Sequence, residues 1–345
     1  MTMNMHIKLS HGAGGREMAW LLEEYILKNF ESKAEVPLHA LDDAAVINGI
    51  VFTTDSHTVQ PIFFPGGDIG KLAVAGTVND IASLGAKPLA IALAMVIEEG
   101  FSFKKLEIIL KSIADVANEA DVEIVTGDTK VVEKGGIKEI MITTSAIGIE
   151  TPYLRKNFEI AGRKGKWLLD SMLEPGDKII INGTIADHGI AIISKREGYG
   201  FEGNIVSDVA PLYSLVEKAL KEGGIVAIKD VTRGGIANAL NEMAKKSKVG
   251  ILIEEDKIPI NKPTLAACEM LGLDPYSIGN EGKMVIGVVK EKAEDVLKAI
   301  RRHKYGKKAE IIGEVTEGKH VIMETSVGGK RILETPTGEI IPRIC

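Results

Sequence analysis

The sequence has 345 residues, which is long for one compact core and predicts two domains. Hydrophobic residues make up 45% and charged residues 26%, as in ordinary soluble globular proteins. The formal net charge of -6 gives no electrostatic reason to expect a nucleic acid or an anionic membrane as a partner, and no apolar run is long enough to span a bilayer.

The chain contains two cysteines, Cys268 and Cys345, which are too few for a disulfide framework. Its first residues lack the apolar stretch of a signal peptide. Both features predict a protein of the reducing cytoplasm.

Short apolar strands alternate with amphipathic helices, which indicates mixed α/β structure. The chain opens with a glycine-rich loop at residues 10–16 (SHGAGGR), followed by a predicted helix at 17–29. In the first half, segments rich in Val, Ile and Thr predict strands at 51–55, 88–97, 122–126 and 139–149, and helical spacing predicts helices at 69–84 and 103–120.

A second set of elements follows residues 155–166, a basic, glycine-containing stretch that is typical of a connector. Predicted strands lie at 178–182, 225–228, 250–254, 283–289, 309–315 and 320–324, and predicted helices at 187–196, 211–221, 235–245, 263–271 and 291–303. Residues 328–345 show little periodicity and predict a surface tail or mobile arm. We therefore divide the chain into an arm and helix at 1–37, an N-terminal domain at 38–155, a C-terminal α/β domain at 156–327 and a flexible tail at 328–345.

Acidic residues in turns and at the ends of predicted strands are the first chemical signal. They are Asp43, Asp55, Asp128 and Asp230, and Asp80 joins them from the segment TVNDIA of the predicted helix at 69–84. Magnesium takes oxygen ligands and shares them with substrate phosphates, so these acids suit a nucleotide-bound metal. Each aspartate alone is better explained as a turn former or helix cap. As a set, the two explanations are equally good.

Two glycine-rich loops precede predicted helices, at residues 10–16 and in the TRGG segment at 232–235. Backbone N–H groups at such helix starts suit a phosphate, although glycine there is also ordinary turn chemistry. Residues 66–72 (GGDIGKL) do not form a P-loop. The spacing is one residue short, and Leu72 stands where the loop needs Ser or Thr.

The last residue, Cys345, carries a thiol, and its position excludes a prenylation signal. Taken alone, it is best explained as a dispensable end residue. Cys268 lies in the apolar segment LAACEML and is predicted to be a packed core residue.

Several motifs together decide the interpretation. SHGAGG, DDAAV, TVNDIASLGAKP, VTGDTK, DVTRGG, GNEGK and the closing PRIC resemble the HypE family of hydrogenase maturation proteins over essentially the whole length. More broadly, the chain is similar to the superfamily of aminoimidazole ribonucleotide synthetase, selenophosphate synthetase and thiamine-phosphate kinase. The resemblance implies two mixed α/β domains, and a homodimer formed through the N-terminal domains with ATP sites near the interface.

The resemblance also assigns roles to individual residues. It implies magnesium and nucleotide binding by the five aspartates. Nucleotide binding is further implied for Asn79, Thr126, Gly127 and Asn280. Lys134 is a candidate cation for the transferred phosphoryl group.

The implied reaction is an ATP-dependent dehydration. In the family, a HypF carbamoyltransferase places a carbamoyl group on the terminal thiol, here Cys345. Phosphorylation of the amide oxygen and loss of phosphate then leave a thiocyanate, and the cyano group passes to a HypC–HypD complex that carries iron. Either Glu281 or His11 is a candidate base for the amide protons.

Three alternatives remain at this point. A selenophosphate synthetase is disfavoured because residues 10–16 contain no cysteine. A thiamine-phosphate kinase would share the acidic motifs but gives no reason for PRIC. A non-catalytic, nucleotide-dependent scaffold would use the tail only to dock a partner.

Overall fold

The computed structural model describes residues 6–201, 203–338, 341, 344 and 345. The helices are α1 Gly15–Leu21, α2 Ile69–Ser83, α3 Phe103–Ala120, α4 Pro152–Ala161, α5 Asp187–Glu197, α6 Tyr213–Glu222, α7 Gly235–Ser247, α8 Lys262–Leu271 and α9 Ala293–Arg301. The strands are β1 Ala45–Ile47, β2 Ile50–His57, β3 Phe63–Phe64, β4 Gly67–Asp68, β5 Lys87–Glu98, β6 Glu123–Val132, β7 Ile140–Ile149, β8 Lys178–Ile181, β9 Ile225–Asp230, β10 Gly250–Glu254, β11 Met284–Val288, β12 Glu310–Thr316, β13 Val321–Glu324 and β14 Lys330–Ile332.

The N-terminal sheet has the strand order β1-β2-β7-β5-β6, with β5 and β6 parallel and the other neighbours antiparallel. Helix α2 packs on β2 and β7 and also contacts β9 of the second sheet. Because α2 lies between the two sheets, nearly all of its residues are buried, which its almost uniformly apolar sequence permits. Its first turn is fixed by Asp68, whose side chain accepts hydrogen bonds from the N–H groups of Gly70 and Lys71.

The C-terminal sheet has the order β14-β13-β10-β12-β8-β11-β9. Its central strands are buried on both faces, because α7 packs on one side and α6 and α9 on the other. In β8, Ile179 and Ile181 join the cluster under α7, whereas Ile180 joins the core shared with α2 and α9. Because both faces of these strands are buried, their sequences are apolar at almost every position rather than at every second one.

The mixed α/β class is confirmed, and most predicted strands and helices lie within a few residues of the observed ones. The helix predicted at 17–29 is α-helical only to Leu21 and continues as π-helical and 3₁₀ turns to Asn29. Two predictions of local structure are wrong. The connector expected at 155–166 is largely helix α4, which Thr151 caps by accepting a hydrogen bond from the Leu154 N–H. Residues 126–128 lie inside β6 rather than in a turn, because parallel pairing with β5 continues to Glu98 and Val132. The division into domains at residue 155 stays a prediction.

The described part of the tail is packed rather than irregular. Strand β14 pairs antiparallel with β13, and the Arg16 N–H donates to the Pro336 carbonyl. Ile341 and Ile344 are buried in the main hydrophobic core. Pro342 and Arg343 of the PRIC motif lie outside the described residues.

Within the part of the chain that the structure describes, no helix combines the length and apolar character needed to cross a membrane.

Candidate active site

Four of the five predicted aspartates converge where α2 separates the two sheets. Asp55 lies on β2, Asp80 on α2, Asp230 at the end of β9, and Asp43 in the loop before β1. We call these four residues the acidic cluster. The Thr53 hydroxyl, 2.8 Å from Asp80 Oδ2 and 3.2 Å from the Asp43 carbonyl, links two of its elements.

Burial and mutual repulsion dominate the electrostatics of the acidic cluster. Burial, together with the charges of Asp230, Asp55 and Asp43, raises the pKa of Asp80 well above its usual range. Burial and the neighbouring carboxylates do the same to the pKa of Asp230. For Asp55, burial acts to raise the pKa, but His57, 3.1 Å away, and the Arg233 guanidinium outweigh it and leave the pKa lowered. The cluster therefore holds more negative charge than its surroundings neutralise.

Asp43 is paired within the protein to a degree that the other three acids are not. The buried Lys229 ammonium lies 2.7 Å from Asp43 and 3.0 Å from Asp170. Burial acts to lower the pKa of Lys229, but the Asp170 and Asp43 carboxylates raise it well above its usual range, so the lysine stays charged. Lys246 adds a second contact to Asp170 at 2.8 Å. This network fixes the Asp43 loop, although no sequence motif pointed to Lys229 or Asp170.

Glu281 is an unsatisfied buried acid next to the cluster. It is 3% exposed, and its Oε1 atom has no hydrogen-bond partner among the described residues. Burial and the charges of Asp55, Asp230 and Asp208 raise its pKa well above the usual range, and Arg233 opposes this effect. A carboxyl with a free oxygen and a raised pKa is suited to take up a proton.

The end of the chain reaches the same place. The Cys345 thiol lies at a cavity of about 190 Å³ lined by Arg233, Gly234, Gly279 and residues 12–13 of the glycine-rich loop. The Thr58 N–H donates to the main-chain oxygen of Cys345 at 3.1 Å. Burial raises the pKa of the Cys345 thiol to about 12, with Arg233 acting against it and Glu281 and Asp55 adding to it. The docked thiol is therefore neutral and lies within electrostatic reach of the predicted base and metal ligands.

A larger cavity of about 620 Å³ adjoins the acidic cluster on the other side of Arg233. Its walls combine the glycine loop at Gly14 and Gly15, the apolar face of α1, several lysines and the carboxylates of Asp43 and Asp230. Its volume is typical of small-molecule sites. Arg233 lines both cavities and so stands between this space and the thiol.

Two predicted nucleotide ligands have other contacts in this structure. The Asn79 amide donates to the Ala210 carbonyl at 3.1 Å and accepts from the Leu212 N–H at 2.8 Å. The Asn280 side chain accepts from the Ala186 N–H and donates to the Ile278 carbonyl. Both are buried, and neither lines the two cavities. They hold loops in position around the cluster.

Asp128 is not brought to the acidic cluster within one chain. It pairs in register with Ala94, Ala94 with Thr143, and Thr143 with Ser56, three strand positions or roughly 14 Å away. Because paired residues share a face, Asp128 lies on the face of Ser56, opposite to that of Asp55. Thr126 shares this exposed edge strand with it, as does Gly127, whose close approach to the Leu93 carbonyl leaves no room for a Cβ.

Neither Lys134 nor His11 lines the cavity at Cys345. Lys134 is exposed in the loop after β6. His11 lies half-buried in the glycine-rich loop, where its Nδ1 accepts the Lys8 N–H at 2.9 Å and its ring packs on Trp20. Of the two candidate bases, Glu281 is the one whose charge acts on the Cys345 thiol.

The chain has known relatives over nearly its whole length. Residues 41–149 match the family model "AIR synthase related protein, N-terminal domain", and residues 174–325 match the corresponding C-terminal domain. The chain is 43% identical to the carbamoyl dehydratase HypE of Azotobacter vinelandii, over 99% of this chain and 98% of the relative. It belongs to the HypE family. It is also 52% identical to a putative hydrogenase expression/formation protein of Methanocaldococcus jannaschii, over 99% of this chain and 100% of the relative.

Solved HypE structures share the whole fold. A HypE in a HypE–HypF complex has a TM-score of 0.85 and 46% identity, covering 92% of this chain and 99% of that one. A HypE in complex with ATP has a TM-score of 0.80 and 38% identity, covering 99% and 100%. A thiamine monophosphate kinase from Aquifex aeolicus, at 18% identity and a TM-score of 0.63, shows the common fold alone.

Proposed function

We propose that this chain is an ATP-dependent carbamoyl dehydratase that converts an S-carbamoyl group on its own Cys345 into a thiocyanate. The cyano group serves as a ligand source for the metal centre of a [NiFe]-hydrogenase. The observation that carries the proposal is the docked terminal thiol, which lies beside a proton-accepting Glu281 and an uncompensated acidic cluster. HypE relatives that are carbamoyl dehydratases, and a HypE solved with ATP, support the same activity.

The proposed reaction has two steps. The amide oxygen of Cys–S–C(=O)–NH2 attacks the γ-phosphoryl group of ATP, ADP leaves, and one nitrogen proton passes to Glu281. Loss of phosphate, which carries away the second nitrogen proton, then leaves Cys–S–C≡N. Glu281 accepts a proton through its free Oε1 atom, since the ionised form gains stability once cations offset the neighbouring acids.

Arg233 lies between the two cavities and next to Cys345, where a guanidinium can hold the phosphorylated oxygen. The larger cavity is the proposed nucleotide site, with the phosphates directed towards the acidic cluster and the glycine loop. This arrangement directs the γ-phosphoryl group of ATP towards the carbamoylated thiol.

The acidic cluster fits a magnesium ion that enters with ATP. Its donors are carboxylate oxygens, the ligand type that magnesium prefers, and the raised pKa values of Asp80 and Asp230 mark charge that a cation would neutralise. Bound magnesium would supply charge neutralisation on the phosphates. Among residues 6–201, 203–338, 341, 344 and 345, no group of three or more His, Cys, Asp or Glu side chains is arranged as a complete metal site. We therefore assign the remaining ligands to ATP, water and a second chain.

We propose a homodimer in which Asp128 of one chain completes the site of the other, with Lys134 as a further candidate for the same side of the nucleotide. Support comes from the N-terminal sheet, where Ile50, Phe52, Leu89 and Ile149 are each 40% to 46% exposed. The edge strand β6 adds Val125 and Val131, both more than half exposed. An apolar sheet face and an open edge strand are surfaces that proteins normally cover.

Mixing two inactive variants tests this shared site. Asp55→Asn and Asp128→Asn should each lose turnover, because each removes one carboxylate from every site. If Asp128 acts across the dimer, co-refolded or exchanged mixtures should regain about a quarter of the wild-type activity, since half of the dimers carry one intact site. Mixed samples that stay inactive, although mass spectrometry shows heterodimers, would place both aspartates in the same chain's site.

The partners follow from the chemistry. A HypF-like carbamoyltransferase must load Cys345, and a HypC–HypD-like complex must accept the cyano group. We place the cycle in the cytoplasm, since the acceptor must be a reduced thiol. A scaffold that only docks partners would not consume ATP in step with a change on Cys345.

Glu281→Gln tests the catalytic proposal directly. The chain is incubated with a HypF-like enzyme, carbamoyl phosphate and ATP, and its intact mass is followed together with ADP formation. In the unaltered protein, the carbamoyl adduct should appear and then lose one water. In Glu281→Gln, the adduct should persist and dehydration should slow about a hundredfold or more, because a neutral amide cannot accept the proton.

The isosteric amide also relieves a buried charge, so Glu281→Gln should fold and bind ATP. A variant that dehydrates at the normal rate would remove Glu281 from the mechanism. An unaltered chain that carries no adduct and forms no ADP would instead favour a scaffold.

A further inference from the structure

The residue before the terminal cysteine is held by a histidine that the proposed mechanism does not use. Nε2 of His188, on α5, lies 2.7 Å from the main-chain oxygen of Ile344. His188 is completely buried, and Ile344 is 6% exposed. This is a side-chain contact to the backbone one residue before the reacting thiol.

The chemistry of the partners fixes the tautomer of His188. A carbonyl oxygen only accepts, so Nε2 must carry the proton and donate to Ile344. Nδ1 is then the acceptor of the Ser207 hydroxyl at 2.8 Å, while Ser207 Oγ accepts the Val209 N–H at 3.1 Å. Burial lowers the pKa of His188, which keeps the ring neutral. With Phe64 edge-on to the ring, the imidazole has one orientation and presents one donor to the tail.

A hydrophobic seat for Ile344 lies beside this donor. A Cβ atom on Gly279 would come within 2.4 Å of Ile344 Cδ1 and 3.0 Å of the Thr232 carbonyl oxygen, so the isoleucine side chain occupies the space that glycine leaves open. The Gly189 N–H, next to His188, donates to the Gly279 carbonyl at 3.2 Å and ties the histidine to this seat. Gly279, the first glycine of the GNEGK motif, therefore forms part of the surface on which Ile344 packs.

We infer that His188 is a positioning residue, which fixes the depth of the Cys345 thiol by holding the Ile344 carbonyl above the Gly279 seat. The inference rests on the proposed function, because position matters only if the docked thiol reacts there. Thr58 holds the Cys345 oxygen from the other side, so two hydrogen bonds and one buried side chain define the docked end. Breaking the His188 bond shifts the tail towards an undocked form, in which the thiol is exposed.

Two substitutions of His188 distinguish the role of Nε2 from that of Nδ1. The amide nitrogen of glutamine can reach the place of Nε2, so His188→Gln keeps a donor for Ile344. Asparagine reaches only the place of Nδ1, so His188→Asn loses it. The readout is the rate at which iodoacetamide alkylates Cys345 in the full chain without ATP, followed by peptide mass spectrometry.

We expect alkylation of Cys345 to rise about tenfold in His188→Asn, as for the loss of one buried hydrogen bond, and to stay within about threefold of the unaltered rate in His188→Gln. Ile344→Ala should also accelerate it, while Ile332→Ala, at a tail position that is 53% exposed, should not. Cys268 is an internal control for unfolding, since it is completely buried and reacts only if α8 opens.

Dehydration of the carbamoylated chain should follow the same order, with ATP affinity unchanged in every variant. Equal alkylation in His188→Asn and the unaltered chain, with Cys268 protected, would overturn the positioning role and leave the proposed function intact. The expected alkylation pattern together with no dehydration in the unaltered chain would instead refute the proposed function and keep the docked tail.

Discussion

Replacing Cys345 by alanine should abolish dehydration and ATP turnover while leaving ATP binding nearly unchanged. The thiol sulfur is the atom that carries the carbamoyl group, so no other residue can take its place as substrate. Cys345 lies at the small cavity, whereas the proposed nucleotide cavity lies on the other side of Arg233. Calorimetric titration with ATP and intact-mass analysis after carbamoylation measure the two properties separately.

Cys268→Ala is the matched control, because it removes the chain's other thiol. Cys268 is buried in α8, and burial raises its pKa to about 12, so it should neither accept a carbamoyl group nor affect turnover. The loss of a packed sulfur should cost about 1 kcal/mol of folding free energy. A carbamoyl adduct on Cys268, or water loss that persists in Cys345→Ala, would contradict self-modification.

The convergence of Asp43, Asp55 and Asp230 could be predicted because turns and strand ends carry a local signal, whereas Asp80 lies within helix α2. Apolar strands, glycine loops and acidic positions are each visible in a short window of sequence. What brings the acids together is α2, an unusually apolar helix that has to be buried between two sheets. The family resemblance supplied the remaining step from a set of acids to a nucleotide site.

The position of Asp128 could not be predicted from its local sequence. The segment TGDTK has the composition of a turn, yet pairing with β5 extends the strand through it. Strand pairing is a tertiary property, and it places Asp128 on the sheet face opposite to Asp55. Contacts with a second chain produce no pattern in the sequence of one chain. The sequence alone therefore predicted one cluster of five aspartates, whereas the fold places Asp128 apart from the other four.

The docking of the tail, and the residues that hold it, could not be predicted from local sequence patterns either. Residues 328–345 lack periodicity, because their order comes from contacts with distant elements rather than from a repeating pattern of their own. His188 is a single histidine in an apolar stretch, which by itself indicates a core residue. Lys229 and Asp170 are far apart in sequence, and only the packing of β9 against the Asp43 loop makes them a pair.

Asp80→Asn should weaken binding of magnesium-dependent ATP at least tenfold and, at the same time, stabilise the nucleotide-free fold. The first effect follows from losing a carboxylate in the acidic cluster. The second follows from electrostatics, since burial and the neighbouring carboxylates raise the pKa of Asp80 well above the ordinary 3.8. An uncharged amide of the same shape can still accept from Thr53 and removes the repulsion. Functional sites commonly reduce stability in this way.

The difference in folding stability between Asp80→Asn and the unaltered protein should increase with pH. Near pH 4, Asp80 is protonated in the fold and about half protonated in the unfolded chain, so the unaltered protein and Asp80→Asn should differ little in stability. As pH rises, the unfolded chain ionises freely while the fold resists ionisation, and the unaltered protein loses stability through the window up to its raised pKa. Asparagine does not ionise, so Asp80→Asn should be more stable than the unaltered protein by about 1 kcal/mol at neutral pH. The difference is modest because the side chain of Asp80 keeps some solvent contact.

Denaturant unfolding of both proteins at pH 4 and pH 7.5, without nucleotide, measures that advantage, and calorimetry measures ATP affinity with and without magnesium. Asp115→Asn, at an exposed position of α3, is the control and should change neither quantity. An Asp80→Asn protein that binds ATP normally would remove Asp80 from the nucleotide site. One that is destabilised at neutral pH would show that Asp80 serves the fold, because a residue kept for a ligand should weaken the protein until that ligand binds.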